Sequence, residues 1–310
     1  MAEQYKKVIR DPIYGYIGLT EEQLNVIELP VFQRLRRISQ LSFADLVYPS
    51  ATHNRFSHSL GVMHLARILS DYLKNSGLGE QLELNDDDYE AIIWAGLLHD
   101  IGHLPFSHVC EPIFAHYIGN PINWREYHVE IGAKIIQDSR FGIIDILGSK
   151  MVNKVVKLIR GKDSQIPRLL VEVITGICSV DRLDYLKRDA YHAGTPEYAI
   201  IDAQRILTSL HFYPEDPYTA PIFRRKALYA LEGVILSYFY MYRAIYYHHA
   251  VRSAYLLFQD IIWEAFENSN LREKLNELFI PEFWNHFDDH CFLTILRDIN
   301  KNALIYADCW

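Results

Sequence analysis

The 310-residue chain has little cysteine, with only Cys110, Cys178, Cys291 and Cys309, far apart and forming no CxxC pair. Such spacing offers neither a disulfide framework nor a thiolate zinc site, and it fits a reducing, cytoplasmic setting. Long apolar runs are also missing. The longest, Gly233 to Tyr242, lies between Glu232 and Arg243 and falls far short of the roughly 20 residues a membrane helix needs, so it reads as a buried helix. The first residues, Met-Ala-Glu-Gln-Tyr-Lys-Lys, carry no apolar stretch behind their charges and show no secretory signal. The 15 glycines and 12 prolines are scattered as helix stops. With no repeat or low-complexity tract either, one compact unit is expected. Positive charge is short as well. Against 39 Asp+Glu stand 31 Lys+Arg, a net charge of −8, which suits poorly a duplex-DNA binder that works by neutralising phosphates.

Half of the residues are hydrophobic, enough for a sizeable core, and their periodicity is mostly helical. Thr20-Glu-Glu-Gln23 has the form of a capping box, and Pro30 opens a short basic helix through Ser39. Apolar residues three and four apart predict helices over roughly 58–75, 87–100, 107–118, 125–138, 149–160, 166–177 and 180–191, and a long helical stretch from Ala227 to about Glu267. Strand signals are few. Arg205 to Tyr213 and Pro221 to Lys226, separated by Pro214-Glu-Asp-Pro217, look like a hairpin. Pro281 and Phe283 to Trp310 form a small tail. The fold class expected is all-α with one minor β-hairpin.

Histidine is what the chain has in excess. Eight of its 14 histidines fall between His53 and His128, where an even spread would put about three. Residues 97–111 read Leu-Leu-His-Asp-Ile-Gly-His-Leu-Pro-Phe-Ser-His-Val-Cys-Glu, behind the apolar Ile92 to Leu98. A polar cluster therefore begins where a buried helix emerges, and Gly102 and Pro105 turn the chain there. Imidazole and carboxylate together are ligands for borderline divalent metals, and a carboxylate near a second imidazole fixes its tautomer for proton transfer. An adjacent His99-Asp100 at the end of an apolar helix is costly unless each partner is paired, which one metal ion achieves. His53, His64 and His116 read as structural, and the aromatic stretches Tyr238 to Tyr242 and Tyr246 to His249 as packing or interface residues.

The order His58, His99-Asp100, Asp181 resembles the signature of the HD-domain metal-dependent phosphohydrolases. Phe32-Gln-Arg-Leu-Arg36, Ser39-Gln-Leu41, His53-Asn-Arg-Phe-Ser-His-Ser-Leu-Gly61, Gly96-Leu-Leu-His-Asp-Ile-Gly-His103, Pro105-Phe-Ser-His108 and Asp181-Arg-Leu-Asp-Tyr185 with Arg188-Asp189 are similar to the deoxynucleoside triphosphate triphosphohydrolase branch, over about Lys7 to Arg252. The resemblance implies an HD-domain helical fold over residues 1–265 with a short C-terminal helical extension, 266–310, packed on it. It implies that His58, His99, Asp100 and Asp181 hold iron, manganese or zinc, with magnesium at a second position, and that water attacks the α-phosphorus of a dNTP to release deoxynucleoside and triphosphate. His108 would be the proton donor, Glu111 would hold its ring, and His103 and His128 would lie nearby. Arg55, Arg182 and Arg243 match phosphate contacts, and Gln40, Leu41, Tyr185 and Asp189 match sugar-facing positions that select deoxyribose.

Some positions depart from the family pattern. His128-Val129-Glu130 stands where His-Glu is common, and Val251 stands where a tyrosine often packs on the substrate. A GTP-type activator site near the N-terminus is matched by Lys7, Gln33 and Arg36, with Glu28 and Arg10 replacing an aspartate and an asparagine; Gln33, Arg34, Arg36 and Arg37 read more simply as the polar face of a helix. A homo-oligomer is expected. Two other readings stay open: hydrolysis of another phosphoester, such as a nucleoside monophosphate, a guanosine polyphosphate or a nucleic-acid end, and a nucleotide-sensing module without turnover.

Overall fold

Why the chain folds as it does is clearest in its caps and turns. The computed structural model describes residues 5–118, 123–163, 167–212, 221–268, 270–275 and 277–299. Two strands, β1 (Lys7–Asp11) and β2 (Gly15–Leu19), pair antiparallel with Asp11 opposite Gly15. This hairpin is absent from the sequence expectation. Its turn is built by Asp11, whose Oδ1 accepts the N–H groups of Ile13 at 2.9 Å and Tyr14 at 3.0 Å, and by Gly15 at φ 79°. The capping box at Thr20 is present: its hydroxyl accepts the Gln23 N–H and the Gln23 amide oxygen accepts the Thr20 N–H, both at 3.2 Å. It opens α1 (Glu21–Glu28).

The basic segment after Pro30 is a helical turn, Pro30–Gln33, followed by a 3-10 turn, Arg34–Arg37. It is not a polar face, because Arg34 is fully buried. The body is α2 (Arg55–Asn75), α3 (Asp86–Leu98), α4 (Glu111–Tyr117), α5 (Tyr127–Gln137), α6 (Ile143–Arg160), α7 (Arg168–Thr175) and α8 (Val180–His192). α2 packs along α3 and against α8, while α6 packs on both α3 and α5. α6 bends at Gly148, which has φ 75°, so its regular part begins where the periodicity predicts. The buried Arg67 of α2 donates to the Gly18 carbonyl at 2.9 Å and to Gln23 Oε1 at 2.8 Å, which locks the hairpin and α1 onto the bundle.

The predicted hairpin around 205–226 shrinks to β3 (Leu210–His211) and β4 (Ile222–Phe223). Arg205 to Leu207 belong to a helix, Ala203–Leu207, because Asp202 caps it by accepting the Arg205 N–H at 3.0 Å; the expected turn at 214–217 lies outside the described residues. The long helical stretch divides into α9 (Leu228–Met241), a π turn (Tyr242–Tyr246) and α10 (His249–Asn268). The apolar run on α9 is not a buried helix, since Ile235 is 63% and Phe239 53% exposed. No described helix is long and apolar enough to cross a membrane. The tail contributes Pro281–Trp284 and α11 (Asp289–Ile299), with Trp284, Phe287 and Phe292 buried against Phe114 of α4 and neighbouring rings.

Two backbones meet closely where the histidine-rich loop crosses α5. A Cβ at Gly102 would lie 2.1 Å from the His128 carbonyl oxygen and 2.3 Å from the Gly132 nitrogen. The absent side chain lets the His103 and His128 rings stack at 4.1 Å. Gly102→Ala must push rigid backbone apart, and a loss of about 1–3 kcal/mol in urea unfolding is expected; an unchanged midpoint would show that the crossing is not tight.

Candidate active site

Three elements deliver the clustered groups. His58 stands in the first turn of α2, which Asn54 caps by accepting the Ser57 N–H at 3.2 Å. His99 and Asp100 follow the last residue of α3, and Asp181 lies in the first turn of α8, capped by Ser179. His58 Nε2 is 3.3 Å from His99 Nε2, 3.1 Å from Asp181 Oδ1 and 3.6 Å from Asp100 Oδ2. His99 Nε2 is 3.2 Å from Asp100 Oδ1. The helix ends at Leu98, before Gly102, so His99 and His103 do not stack on one helix; they flank Asp100, whose Oδ1 is 3.1 Å from His103 Nε2.

The tautomers explain what this cluster requires. His58 Nδ1 donates to Asp184 Oδ2 at 2.7 Å, and His99 Nδ1 donates to the Gly96 carbonyl at 3.0 Å. Both Nε2 lone pairs then face each other and the Asp181 carboxylate, a concentration of acceptors that only a cation relieves. The His58, His99 and Asp181 donors lie close enough to share one metal ion, with Asp100 beside them, and a two-imidazole, two-carboxylate set suits a borderline divalent ion. Without one, the site draws protons: burial would lower the His58 pKa, but hydrogen bonds to Asp181 and Asp184 and the charge of Asp100 raise it to about 10.

Behind His58 runs a fully buried chain of charges. Arg188 donates to both Asp184 oxygens at 2.9 and 3.0 Å and to Asp11 Oδ2 at 2.8 Å. Burial would raise the Asp184 carboxyl, but the Arg188 guanidinium and the His58 hydrogen bond hold it at about 2. Asp184 was not among the residues singled out from the sequence. Its place one turn after Asp181 and four residues before Arg188 puts it on the same face of α8, which is the only sequence signal for it.

A second cluster centres on Glu111, the buried first residue of α4. Its Oε1 accepts His103 Nδ1 at 2.6 Å, its Oε2 accepts His108 Nδ1 at 2.8 Å, and His128 Nδ1 is 3.4 Å away. Burial would raise the Glu111 carboxyl, but His108, His128 and His103 hold it well below the usual carboxylate range. Burial and the Arg55 guanidinium lower His103 to about 4, so its ring is neutral at pH 7 and donates from one nitrogen at a time. His108 differs: its side chain is 53% exposed while Glu111 is sealed. Glu130 takes no part, because it accepts from Arg160 at 2.8 and 3.1 Å.

Both clusters open onto one cavity of about 620 Å³, within the range of small-ligand sites. Gln40, Leu41, Arg55, Tyr185, Asp189 and Val251 line it. Arg55 donates to Asp100 Oδ2 at 2.7 Å and to Ser107 Oγ at 3.1 Å. Asp189 is gripped by His53 Nε2 at 2.8 Å and by the Tyr246 hydroxyl at 2.7 Å, so His53 does more than fill space. Arg182 and Arg243 are not among the lining residues: Arg182 lays its guanidinium over Tyr238, and Arg243 is exposed on the π turn. The cavity wall instead holds Arg125 and Arg252, together with Trp124, Tyr242, Tyr246 and Tyr247, so part of the aromatic stretch serves the cavity rather than packing. Tyr255 donates to the His108 carbonyl at 2.5 Å. His64 and His116 are structural, packing on Tyr14 and Trp263. Near the N-terminus, Lys7 is exposed, Gln33 donates to the Ile27 carbonyl at 2.7 Å, and Arg36 lies over the Phe56 ring at 3.5 Å.

The chain is similar to known proteins. Residues 55–189 match the HD domain family and residues 201–308 the HD associated region. An uncharacterized protein of Methanocaldococcus jannaschii is 32% identical over 97% of this chain and 60% of its own length. The deoxynucleoside triphosphate triphosphohydrolase SAMHD1 homolog of Dictyostelium discoideum is 28% identical, covering 87% of this chain and 52% of that protein. A hypothetical protein from Aquifex aeolicus superposes with a TM-score of 0.73 at 30% identity, over 93% of this chain and 70% of that one. The chain thus spans between about half and three fifths of the length of the curated relatives named. Ordered His58, His99-Asp100 and Asp181 on this helical scaffold, together with these matches, make the chain a member of the HD-domain phosphohydrolase superfamily.

Proposed function

We propose that this chain is a metal-dependent phosphohydrolase that cleaves deoxynucleoside triphosphates to deoxynucleoside and inorganic triphosphate. One observation carries the reading: the exposed His108, backed by the sealed Glu111, shares a cavity with the converging His58, His99, Asp100 and Asp181. His58, His99, Asp100 and Asp181 would hold the divalent ion, with iron, manganese or zinc suited to the donors and magnesium to a second position. Such an ion offsets phosphate charge and acidifies water.

The chain's own groups supply the rest. Glu111 fixes the His108 tautomer by accepting from Nδ1, which leaves Nε2 to carry the proton that the leaving 5′ oxygen takes. His103 and His128 brace Glu111 from the other side. Arg55, Arg125 and Arg252 bring positive charge to the cavity of an acidic protein, where a guanidinium gives bidentate phosphate contacts. Gln40 and Asp189, which line the cavity, would bond the sugar 3′-hydroxyl, and Tyr185 and Leu41 would crowd the 2′ position. Residues 1–265 would form the hydrolase unit, with the extension 266–310 packed on it, of which 300–310 lie outside the described residues; a homo-oligomer, for which the exposed apolar face of α9 is available, and a GTP-type activator near Lys7, Gln33 and Arg36 complete the proposal.

Incubating metal-replete protein with each dNTP, with and without GTP, should release triphosphate; release of phosphate or a monophosphate instead would move the reading to another phosphoester. His108→Ala is expected to abolish hydrolysis with metal content kept, whereas Asp100→Ala should lose both, as read by metal analysis beside turnover. Asp184→Asn leaves His58 without its carboxylate partner, and metal affinity should fall about 10- to 100-fold. An unchanged titration curve would remove Asp184 from the site.

A further inference from the structure

Asp289, the first residue of α11, reaches two backbone amides that are far apart in sequence. Its Oδ2 accepts the Ser39 N–H and its Oδ1 the Phe106 N–H, both at 2.8 Å. Ser39 leads into Gln40 and Leu41 on one wall of the cavity, and Phe106 leads into Ser107 and His108 on the other. Phe106 and Ser107 have φ of 54° and 45°. Two successive non-glycine residues in the left-handed region are strained and persist only where their surroundings over-determine them. Here the surroundings do so: Ser42 Oγ donates to the Phe106 carbonyl at 3.1 Å, and Ser107 Oγ accepts from Arg55.

The neighbouring acid performs a different task. Asp288 accepts the Cys291 N–H at 2.9 Å within its own helix turn and pairs with Arg37, an ordinary capping role. Among the described residues, Asp289 caps nothing in its own helix; both its oxygens go to the segments that lead into the cavity walls. Beside it the buried Arg34 donates to the His103 carbonyl at 2.9 Å and to the Phe287 carbonyl at 2.7 Å, so the same tail segment meets the histidine loop twice. Burial raises the Asp289 carboxyl to about 6 against the pull of the two amides and Arg34, which leaves it a carboxylate at pH 7.

Resting on the reading of His108 as proton donor, we propose that Asp289 is a positioning residue: its carboxylate ties the strained Phe106–Ser107 turn to the Ser39–Leu41 wall and so sets where His108 stands in the cavity. Asp289→Asn in the full chain keeps the shape but turns an amide N–H toward one of the two backbone N–H groups. Hydrogen exchange at the Phe106 and Ser107 amides should accelerate, and kcat for dNTP hydrolysis should fall about ten- to hundredfold, with KM and metal content little changed. Asp288→Asn should lower the melting temperature and leave kcat alone. Where Asp289→Asn fails to fold, Ser42→Ala, which frees the Phe106 carbonyl, should give a smaller fall in kcat. Unchanged exchange at Phe106, or an equal fall in kcat from Asp288→Asn, would overturn the proposal. If the wild type hydrolyses no dNTP, the substrate reading fails and the exchange at Phe106 alone decides the role of Asp289.

Discussion

The buried Arg188 guanidinium is the constraint on which the site depends. Removing a cation and two carboxylates from water costs several kcal/mol per ion, and only close geometry with every donor used offsets it. Arg188 meets that condition by donating to Asp11 on the N-terminal hairpin and to Asp184, which in turn holds His58. The orientation of His58 is therefore fixed through three elements at once: α2, α8 and β1. Even the missing side chain at Gly61 belongs to this arrangement, since a Cβ there would lie 2.0 Å from Asp184 Oδ1. The hairpin accordingly does more than decorate the helical bundle, because it supplies the counter-charge without which Arg188 would sit against one carboxylate alone.

The groups that converge were legible from the sequence where chemistry and position coincide. His99-Asp100 at the end of an apolar helix and His108 three residues before Glu111 can be paired on paper, because each pair lies within one or two turns. Asp184 could not be assigned in that way: its partner His58 is 126 residues away and the bond exists only after α2 and α8 have packed. The same limit hid the role of His53, which holds Asp189 from 136 residues away, and the burial of Arg34, whose run of basic neighbours looks like a solvated face.

Where fold expectations missed, a local polar contact outweighed the hydrophobic pattern. Asp11 makes a turn from a segment with no Asn-Gly signal, and Asp202 caps a helix where alternation suggested a strand. The apolar face of α9 failed for a different reason, because a run of apolar residues reports that a surface avoids water but not which partner covers it.

Charge placement divides the labour within the cavity. Glu111 is sealed and surrounded by three imidazoles, so its negative charge is spent within the protein, and it accepts from Nδ1 of His108, whose side chain is half exposed. The Asp100 and Asp181 carboxylates are instead turned toward the His58 and His99 nitrogens, where they strengthen a cation site. Glu130, two residues after His128, is only part-buried and pairs with Arg160, so it leaves these imidazoles to Glu111. By sending Glu130 outward to Arg160 and keeping Glu111 dry, the chain gives the imidazoles of His103, His108 and His128 a carboxylate that solvent cannot screen, and such a carboxylate binds its donors far more strongly than one in water.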